Sequence, residues 1–503
     1  MRTFSIYTLG CKVNQYESQQ IAQFLEELGL SAAVSGEKPD LAVINTCCVT
    51  GTASAKSRQY IQRALKVNPA GVRVVCGCLP AMNSQENPPC DGDNVHIISS
   101  RDDLAQSIAQ IIIGHNNPLI KAKNGLKIKD GMAKFAKYPK LPKLSSFKGH
   151  TRAFLKVQDG CDGLCAYCIV PKVRPDVQSK PMEEVIEEAK ALVAAGHKEI
   201  VVTGVNLGAY GRDTTRRAPE IFNFQFSIFN LLTALAQVEG PFDSVRLRSP
   251  QAAQGRLPRI RVSSLEPGDI SEELLDVFCA HSNIMPHIHL SVQSGASATL
   301  KRMCRQYDAE ELRAKIELIK RRLDRPAITA DIIVGFPGET DEDFQQTVEL
   351  AKWAGFSKIH VFPFSSRMGT PASRMKNKVE SKIIKKRAQI LRKLSDELAF
   401  KFREQFVGET CEVLIEDTEP MSGRCERYFM VQIQKTEGPG FAQSGYVKNY
   451  AVTKVVTPRS SPATQTAGKL RYEKNDIVRV KITAVTEEGA EGEILNLPEG
   501  NKK

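Results

Sequence analysis

The sequence lacks the long apolar stretches that mark membrane and secreted proteins. No run of hydrophobic residues approaches the ~18 that a helix needs to span a bilayer. The stretch Met1–Gly10 is too short and too polar for a secretory signal peptide. These absences argue against a membrane protein, and they predict a cytoplasmic location.

Acidic residues are scarce along two stretches, and the whole chain carries a formal net charge of +12. Between Lys121 and Arg152 there are ten Lys or Arg residues and one acid, Asp130. A second basic run extends from Arg374 to Arg403. Such runs are often only solvated faces. A basic surplus is nevertheless typical of proteins that bind a polyanion, and nucleic acid is the first partner it indicates.

Thirteen cysteines are present, and in a reducing cytoplasm they are not expected to form disulfides. Isolated cysteines are most often small buried hydrophobic residues. That is the prediction for Cys279, Cys304, Cys411 and Cys425.

A different prediction applies to Cys161, Cys165 and Cys168, whose C-x3-C-x2-C spacing lets one loop wrap one cubic 4Fe–4S cluster. Such a cluster has four irons, which cysteine thiolates normally hold completely. Three cysteines leave one iron open for the amino and carboxylate groups of S-adenosylmethionine, and one electron then releases an adenosyl radical. Zinc is the alternative metal, but structural zinc prefers four closed ligands, often in paired C-x2-C knuckles.

Residues 1–121 alternate between strand-like and helix-like patterns, which predicts an open parallel α/β domain. The predicted elements are strands at Phe4–Leu9, Leu41–Asn45 and Val72–Gly77 and a helix over Ser18–Leu28.

Cys11, Cys47 and Cys78 each follow the end of one of these strands. Ligands of open α/β sheets lie beyond the carboxyl ends of the strands, so these cysteines could converge in a second three-thiolate site. Buried cysteine is common, however, and the neighbours Cys48 and Cys76 weaken an assignment from spacing alone.

The rest of the chain divides into a predicted basic linker over 122–148, a central domain over 149–403 and a small domain over 404–495. Five or six β/α units predict a partial or full barrel, with the active site at the carboxyl ends of its strands. Its predicted strands are Arg152–Val157, Glu199–Gly204, Arg259–Val262, His287–Val292, Ala327–Val334 and Ser357–Phe362.

Several further elements are predicted around these strands. Inserted loops are predicted within 212–258, on either side of a helix at Ile228–Gln237. Other helices are predicted at Pro181–Ala195 and, with an amphipathic pattern, at Lys382–Phe402. Short strands at Glu412–Ile415, Tyr428–Ile433, Ala451–Val456 and Ile477–Ile482, with a polar loop over Ser460–Gly468, predict a small C-terminal barrel of oligonucleotide-binding kind.

Over most of its length the chain resembles the methylthiotransferase family of radical-SAM enzymes. The motifs that carry the resemblance are Thr8–Ser18, Asn45–Cys47, Gly77–Cys78, Gln158–Pro171, Ser263–Pro267, Gln293–Gly295 and Gly335–Thr340. The β-rich tail resembles the RNA-binding TRAM domain. Together these motifs are specific, and the assignment does not rest on any single short one.

The resemblance implies two 4Fe–4S clusters and S-adenosylmethionine as cofactors. Cys11, Cys47 and Cys78 match the ligands of an auxiliary cluster that takes part in sulfur delivery, while Cys48 and Cys76 match no ligand position. It also implies a one-electron reductant and a sulfur donor as partners.

Contacts to S-adenosylmethionine are implied for Thr203, Gly204, Val205 and Asn206, with a plain strand-to-helix turn as the alternative. Ser291 and Gln293 are further candidates, and for them a role in the barrel core is the alternative.

Branches of the family act on isopentenyladenosine in tRNA, on threonylcarbamoyladenosine in tRNA, or on an aspartate of a ribosomal protein. The segments Thr8–Ser18 and Phe362–Ala372 look most like the threonylcarbamoyl branch. The expected substrate is then the tRNA anticodon loop, at the adenosine just 3′ of the anticodon, and the expected product its 2-methylthio derivative. An RNA-binding iron–sulfur regulator without catalysis is the non-enzymatic alternative.

The sequence departs from the family pattern in three places. Arg174-Pro175 stands where an Arg-Gly pair is usual, and Leu79-Pro80-Ala81-Met82 follows the third cysteine where Ala-Gln is more usual. The loops on either side of Ile228–Gln237 have no family counterpart. None of these departures removes a cluster ligand.

Overall fold

The computed structural model describes residues 1–82, 94–114, 140–212, 227–240, 257–434 and 472–495. The chain divides into two compact units, Met1–Phe402 and Arg403–Lys503. No helix in the described ranges combines the length and apolar character needed to cross a membrane. Much of the predicted linker and of the predicted inserted loops lies outside the described residues.

A five-stranded parallel sheet opens the first unit, as the alternating pattern predicted. Its strands, in the order β2-β1-β3-β4-β5, are β1 (Thr3–Thr8), β2 (Ser31–Ala32), β3 (Leu41–Thr46), β4 (Val72–Gly77) and β5 (Val95–Ile97). Its helices are α1 (Lys12–Glu27), α2 (Gly51–Val67), α3 (Cys78–Met82) and α4 (Leu104–Gly114). Because β1, β3 and β4 are parallel neighbours, their carboxyl ends meet at one edge.

Helix α1 begins well before the predicted start at Ser18. Its first turns carry the polar residues Asn14 and Glu17, which a sequence pattern assigns to the surface but which are buried. Their burial follows from contacts with other parts of the first unit, described below.

An arc of parallel strands forms the remainder of the first unit. Its strands and the short hairpin are β6 (Ala153–Lys156), β7 (Gln158–Asp159), β8 (Gln178–Ser179), β9 (Glu199–Thr203), β10 (Arg259–Val262), β11 (Ser264–Leu265), β12 (His287–Gln293), β13 (Ala327–Val334) and β14 (Lys358–Pro363). The sheets run β10-β9-β6 and β11-β12-β13-β14, while β7 and β8 pair with each other. Within the described residues no ladder joins β6 to β14, so the arc is a partial barrel.

Helices accompany these strands, and most of them cover the outer face of the arc. They are α5 (Val170–Val173), α6 (Met182–Ala194), α7 (Ile228–Ala236), α8 (Glu272–Ala280), α9 (Ser297–Arg302), α10 (Ala309–Arg322), α11 (Asp341–Ala354) and α12 (Ser381–Glu404). The short helix α5 instead packs against the N-terminal sheet. Alternate strand residues such as Leu290, Ala330 and Ile359 join α10 and α11 in the main core. The intervening side chains therefore face the concave side of the arc.

Residues 140–148, the described end of the predicted linker, pack against the first unit. Leu144 and Phe147 are buried in its main core. Gln20 of α1 donates to the carbonyl oxygen of Pro142 (2.8 Å), and Glu188 of α6 accepts from the Leu144 amide (3.2 Å). This segment connects α1 and α6.

The second unit is a closed barrel, as predicted. Its strands, in the order β15-β16-β17-β19-β18, are β15 (Thr410–Thr418), β16 (Met421–Cys425), β17 (Met430–Gln434), β18 (Ile477–Val485) and β19 (Ala490–Ile494). The predicted strand Ala451–Val456 and loop Ser460–Gly468 lie outside the described residues.

Two of the isolated cysteines contradict the prediction that they are buried. Cys411 and Cys425 are buried in the barrel, but Cys279 and Cys304 are exposed. Cys279 lies in the last turn of α8, beside the inward-facing Phe278. Cys304 follows the end of α9 with a φ of 57°, a left-handed conformation that turns the chain away from the helix.

Candidate functional site

The loop of Cys161, Cys165 and Cys168 lies between β7 and α5 and carries N–H donors to all three sulfurs. Cys161 Sγ accepts from the amide of Gly163 (3.3 Å), Cys168 Sγ from the amide of Val170 (3.4 Å) and Cys165 Sγ from Arg305 Nη1 (3.1 Å). The pKa of Cys168 is raised to about 12, mainly by burial and to a smaller extent by the charges of Cys165 and Cys161. Each of the three sulfurs therefore accepts an N–H hydrogen bond, an arrangement that suits thiolate ligands of a metal.

The loop begins at a position that requires glycine. Gly160 has a φ of +75°, and a Cβ there would lie 1.7 Å from the carbonyl oxygen of Asp176. The next amide, of Cys161, donates to the carbonyl oxygen of Arg174 (3.0 Å). The chain thus folds back on itself and closes the cysteine loop at its base.

Arg305, which the sequence did not single out, connects the loop to the barrel. Besides Cys165, it contacts the carbonyl oxygen of Ser291 through Nη2 (3.4 Å) and Tyr307 Oη through Nε (3.1 Å). It also forms an ion pair with Glu266, and its side chain is almost fully buried. Glu266 lies in the Ser263–Pro267 motif, and a charged partner for this glutamate was the signal in the sequence that could have pointed to Arg305.

Cys11, Cys47 and Cys78 come together at the carboxyl edge of the N-terminal sheet. The Asn14 side-chain amide donates to the carbonyl oxygens of Leu9 (2.8 Å) and Thr46 (2.9 Å), which ties the ends of β1 and β3 together. Gly10 has a φ of +102°, and a Cβ there would lie 2.9 Å from Cys47 Sγ. Glycine therefore gives Cys47 room beside Cys11.

The three sulfurs of this second trio influence one another electrostatically. The pKa of Cys47 is raised to about 11, mainly by burial and to a smaller extent by the charges of Cys78 and Cys11. The pKa of Cys78 is instead lowered, first by a hydrogen bond from the Cys48 thiol and then by the charges of Arg174 and Arg101. Arg101 Nη2 lies 3.4 Å from Cys78 Sγ. The Cys48 thiol also donates to the carbonyl oxygen of Cys78 (3.3 Å), so Cys48 supports that residue. The thiol of buried Cys76 instead donates to the Ile44 carbonyl oxygen (3.8 Å).

Both trios fit a cluster better than a single zinc ion. Tetrahedral zinc with bonds of about 2.3 Å requires ligand sulfurs about 3.8 Å apart. Among the described residues, the one group of three potential ligand atoms within 4.8 Å of one another is His289, Asp331 and His360, and it contains no cysteine. In each trio at least two sulfurs are therefore more than 4.8 Å apart, which is too far for one tetrahedral zinc ion.

Arg174 connects the two trios through a buried ionic network. Its guanidinium contacts Glu17 on α1 (2.8 Å), Asp159 before the loop (2.6 Å) and the Asn14 side chain (3.2 Å). Its carbonyl oxygen meanwhile accepts from Cys161. Arg174 belongs to the departure Arg174-Pro175, so in this chain that turn holds α1, which follows Cys11, against the cysteine loop.

Replacing Arg174 with methionine should destabilise the first unit strongly. The side chain is 4% exposed, and its removal would take a buried ion-pair partner from both Glu17 and Asp159. Breaking a buried ion pair on one side costs about 3–5 kcal/mol. Urea unfolding of the variant and wild type at pH 7 measures the difference in free energy.

Two observations would check the cause of that loss. Lys393→Met removes an exposed pair with Glu397 and should change stability by no more than about 0.5 kcal/mol. Desolvation raises the pKa of Asp159. The charges of Lys156 and Arg174 outweigh this effect and hold that pKa well below its usual range. The stabilisation is therefore complete at neutral pH and should shrink as the pH falls below about 4. Equal losses in both variants would contradict the network.

The residues predicted to bind S-adenosylmethionine lie close to the first loop. Thr203 ends β9, and its carbonyl oxygen accepts from the amide of Val157 (2.9 Å). Gln158 Oε1 accepts from the amide of Asn206 (2.8 Å), and its Nε2 donates to the carbonyl oxygen of Gly160 (2.8 Å). A single glutamine thus connects the turn at 203–206 to the start of the cysteine loop.

The two weaker candidates lie at the end of β12. The carbonyl oxygen of Ser291 accepts from Tyr307 Oη (2.6 Å) and from Arg305, the arginine that also contacts Cys165. Gln293 is buried and has a φ of 65°, an uncommon conformation for a residue other than glycine. Ser291 is therefore adjacent to the first site, and the role of both residues toward a cofactor stays a prediction.

Comparisons with known proteins agree in both halves of the first unit. Residues 155–351 match the Radical SAM superfamily, and residues 3–93 match a family described as uncharacterized protein family UPF0004. The threonylcarbamoyladenosine tRNA methylthiotransferase of Bacillus subtilis is 35% identical over 417 residues, 83% of this chain and 85% of that protein. The tRNA-2-methylthio-N(6)-dimethylallyladenosine synthase of Pelotomaculum thermopropionicum is 33% identical over 430 residues, 83% of this chain and 87% of that protein.

A solved structure is also similar. The radical S-adenosylmethionine methyltransferase of Kitasatospora setae, with cobalamin and a 4Fe–4S cluster bound, aligns with a TM-score of 0.47 and 13% identity. The alignment covers 74% of each chain.

Proposed function

Since the chain belongs to the methylthiotransferase family of radical-SAM enzymes, we propose that it adds a methylthio group to threonylcarbamoyladenosine 37 of tRNA. The observation that carries the proposal is the pair of three-cysteine sites in one compact unit, connected by Arg174. A radical generator alone would need only the first site. The second is what a sulfur-inserting enzyme adds.

Each trio would hold one 4Fe–4S cluster, with three irons bound by cysteine and one left open. The ligands are Cys161, Cys165 and Cys168 for the radical-generating cluster and Cys11, Cys47 and Cys78 for the auxiliary cluster. When bound, the first cluster supplies the electron that cleaves S-adenosylmethionine, and the auxiliary cluster serves sulfur delivery.

The surrounding residues would position the cofactor and exclude water. Arg305 holds a positive charge against Cys165 and orients the end of β12, so that Ser291 and Gln293 face the same region. Gln158 sets the turn of Thr203, Gly204, Val205 and Asn206, the proposed contact for the amino end of S-adenosylmethionine. A one-electron reductant and a sulfur donor complete the reaction.

Binding of tRNA is supported by exposed positive charge on α12 and by the C-terminal barrel. Lys382, Lys385, Lys386, Arg392 and Lys393 are exposed on that helix. Contacts from Lys and Arg to phosphates supply much of the affinity for nucleic acid. We assign 1–121 to the auxiliary-cluster domain, 149–403 to the radical-SAM domain and 404–495 to a TRAM-like domain.

Mass spectrometry of tRNA nucleosides tests the proposed substrate. A strain that lacks the gene should accumulate threonylcarbamoyladenosine and lose its 2-methylthio derivative, and expression of this chain should restore the derivative. The reconstituted enzyme with a reductant should perform the same conversion on tRNA from that strain.

The dimethylallyladenosine branch is the second candidate, because a relative of that activity is almost as similar in sequence. Unchanged methylthio-threonylcarbamoyladenosine in the deletion strain, with loss of the methylthio derivative of isopentenyladenosine, would replace the proposed substrate with that one. Failure of the reconstituted protein to cleave S-adenosylmethionine would favour a non-catalytic RNA-binding protein.

A further inference from the structure

Three neighbouring strands place polar side chains on the concave face of the barrel. Ile288, Leu290, Ala330, Ile332 and Ile359 pack in the core on the outer side. The alternate positions His289 on β12, Asp331 on β13 and His360 on β14 therefore face the interior. Asp331 and His360 are direct register partners. We call these three residues the His–Asp–His triad.

Within the triad His289 contacts Asp331, and Thr329 holds the His289 ring in place. His289 Nε2 lies 3.3 Å from Asp331 Oδ1, and His289 Nδ1 lies 2.7 Å from Thr329 Oγ1. The rings of His289 and His360 are 5.5 Å apart and nearly perpendicular. The Thr329 hydroxyl thus orients one imidazole, while His360 makes no hydrogen bond with any described residue.

The triad is open to solvent, unlike a satisfied polar group in a core. His360 is exposed, and His289 and Asp331 are half-buried. Two residues further along β14 on the same face, Phe362 is 43% exposed. An accessible aromatic ring on the inner wall of a barrel is a stacking surface for a splayed-out base.

The position of the triad along the strands places it near the first cysteine loop. Ile333, the next inward residue of β13 after Asp331, packs in one cluster with Ala166 of that loop. Two residues of strand span about 6.6 Å, so the triad lies about that far below the layer that touches the loop. A base at the loop could therefore extend a substituent to the triad.

A positive charge without an ion-pair partner lies within electrostatic range of the triad. Lys12, which directly follows Cys11, makes no hydrogen bond or ion pair with any described residue. Desolvation is the largest cause that lowers the pKa values of His287 and His360, and the charge of Lys12 is among the smaller causes, so Lys12 lies within electrostatic range of both. Arg261 is neutralised by Glu199 (2.8 Å) and Lys358 by Asp396 (3.0 Å), which leaves Lys12 as a positive charge without such a partner.

We propose that His289, Asp331, His360 and Lys12 form the subsite that recognises the threonylcarbamoyl group of the substrate nucleoside, an inference that rests on the proposed function. That group carries a carboxylate, a hydroxyl and a urea. Lys12 pairs with the carboxylate, His360 donates to it or to the urea oxygen, and Asp331 accepts from a urea N–H or the hydroxyl. An isopentenyl group offers none of these partners, so the subsite selects for the charged substituent.

The geometry of the base suits this arrangement. C2 of adenine and C6, the carbon that carries N6, flank the same ring nitrogen, N1. When C2 faces the cysteine loop for reaction, the N6 substituent leaves the ring on the adjacent side and can extend along the concave wall. Phe362 lies between the triad and the carboxyl ends of the strands, where it can stack on the base.

Binding measurements with matched tRNAs test the subsite. The reconstituted enzyme is titrated with one tRNA species in two forms, with threonylcarbamoyladenosine or with unmodified adenosine at position 37. Wild type should bind the modified form about 10- to 100-fold more tightly, the range expected for one or two hydrogen bonds to charged groups. His360→Ala, Asp331→Asn and Lys12→Met should each reduce that ratio towards one, whereas His281→Ala, at the end of α8, should leave it unchanged.

The ratio distinguishes recognition from folding, because a damaged fold weakens binding of both tRNAs together. Lys12→Met, which lies outside the barrel strands, keeps the test informative if a strand variant fails to fold. Wild type that thiolates threonylcarbamoyladenosine but shows no preference, or strand variants that keep the preference, would overturn the subsite and leave the proposed function standing. Wild type that never thiolates this nucleoside would overturn the proposed function itself.

A metal ion is the competing ligand, since two histidines and a carboxylate also form a common iron or zinc site. Metal analysis of wild type and Asp331→Asn decides between the two. An extra equivalent of zinc or iron in wild type that disappears in the variant would overturn the proposal. Equal metal content in both proteins supports it.

Discussion

Replacing Cys165 with alanine is expected to abolish the cleavage of S-adenosylmethionine and, with it, every product of the enzyme. Cys165 is the central cysteine of the loop, and its sulfur accepts a hydrogen bond from the buried Arg305. Removing one of three ligands leaves two, which cannot keep a cubic cluster with a single open iron. Anaerobic incubation with a strong reductant and measurement of 5′-deoxyadenosine should show only background formation.

Iron content gives an independent reading of the same variant. Wild type should contain about eight irons per chain and Cys165→Ala about four, since each cubic cluster holds four. The fold should survive, because Arg305 keeps Glu266 and Tyr307 as partners when the sulfur is gone. Cys304→Ala, an exposed cysteine next to Arg305 in the sequence, is the matched control and should retain full activity. Retained deoxyadenosine formation by Cys165→Ala would contradict the assignment of the loop.

Strands were predicted where the local sequence is apolar enough to indicate a buried strand. β3 and β4 are buried along their whole length and read as continuous apolar runs. β16 and β19 were missed because their sequences, Met421–Cys425 and Ala490–Ile494, contain glycine and charged residues with low strand propensity. Pairing with β15, β17 and β18 overrides that propensity, and such pairing is not visible along the chain.

In the candidate site, too, residues close together in sequence were predictable, whereas contacts between distant residues were not. The three cysteines of the first loop lie within eight residues, so their spacing alone indicates a cluster. Cys11, Cys47 and Cys78 could be suspected because each ends a strand, but only the parallel order β1-β3-β4 brings them to one edge. Arg174 and Arg305 contact residues far away in sequence, such as Glu17 and Cys165, so no local pattern predicts these contacts. Each is a buried arginine whose partners become known only once the elements pack.

Replacing Cys47 with alanine should separate the two chemical steps. Cleavage of S-adenosylmethionine should continue, because the loop of Cys161 keeps all its ligands and its N–H donors. Thiolation of tRNA should fall to background, because the second trio loses a ligand. Liquid chromatography with mass spectrometry measures 5′-deoxyadenosine and the methylthio nucleoside in one reaction, and iron should fall from about eight to about four per chain.

The surroundings of Cys47 make this variant a clean test. Ser57 Oγ hydrogen-bonds the backbone amide (3.1 Å) and carbonyl oxygen (2.9 Å) of Cys47, so alanine keeps the local structure. Cys76→Ala is the matched control, because Cys76 is equally buried nearby and its sulfur makes one weak contact. It should retain both activities and all the iron. Full thiolation by Cys47→Ala would show that this trio is no cluster site, and loss of cofactor cleavage as well would mean that Cys47 supports the first loop rather than a separate centre.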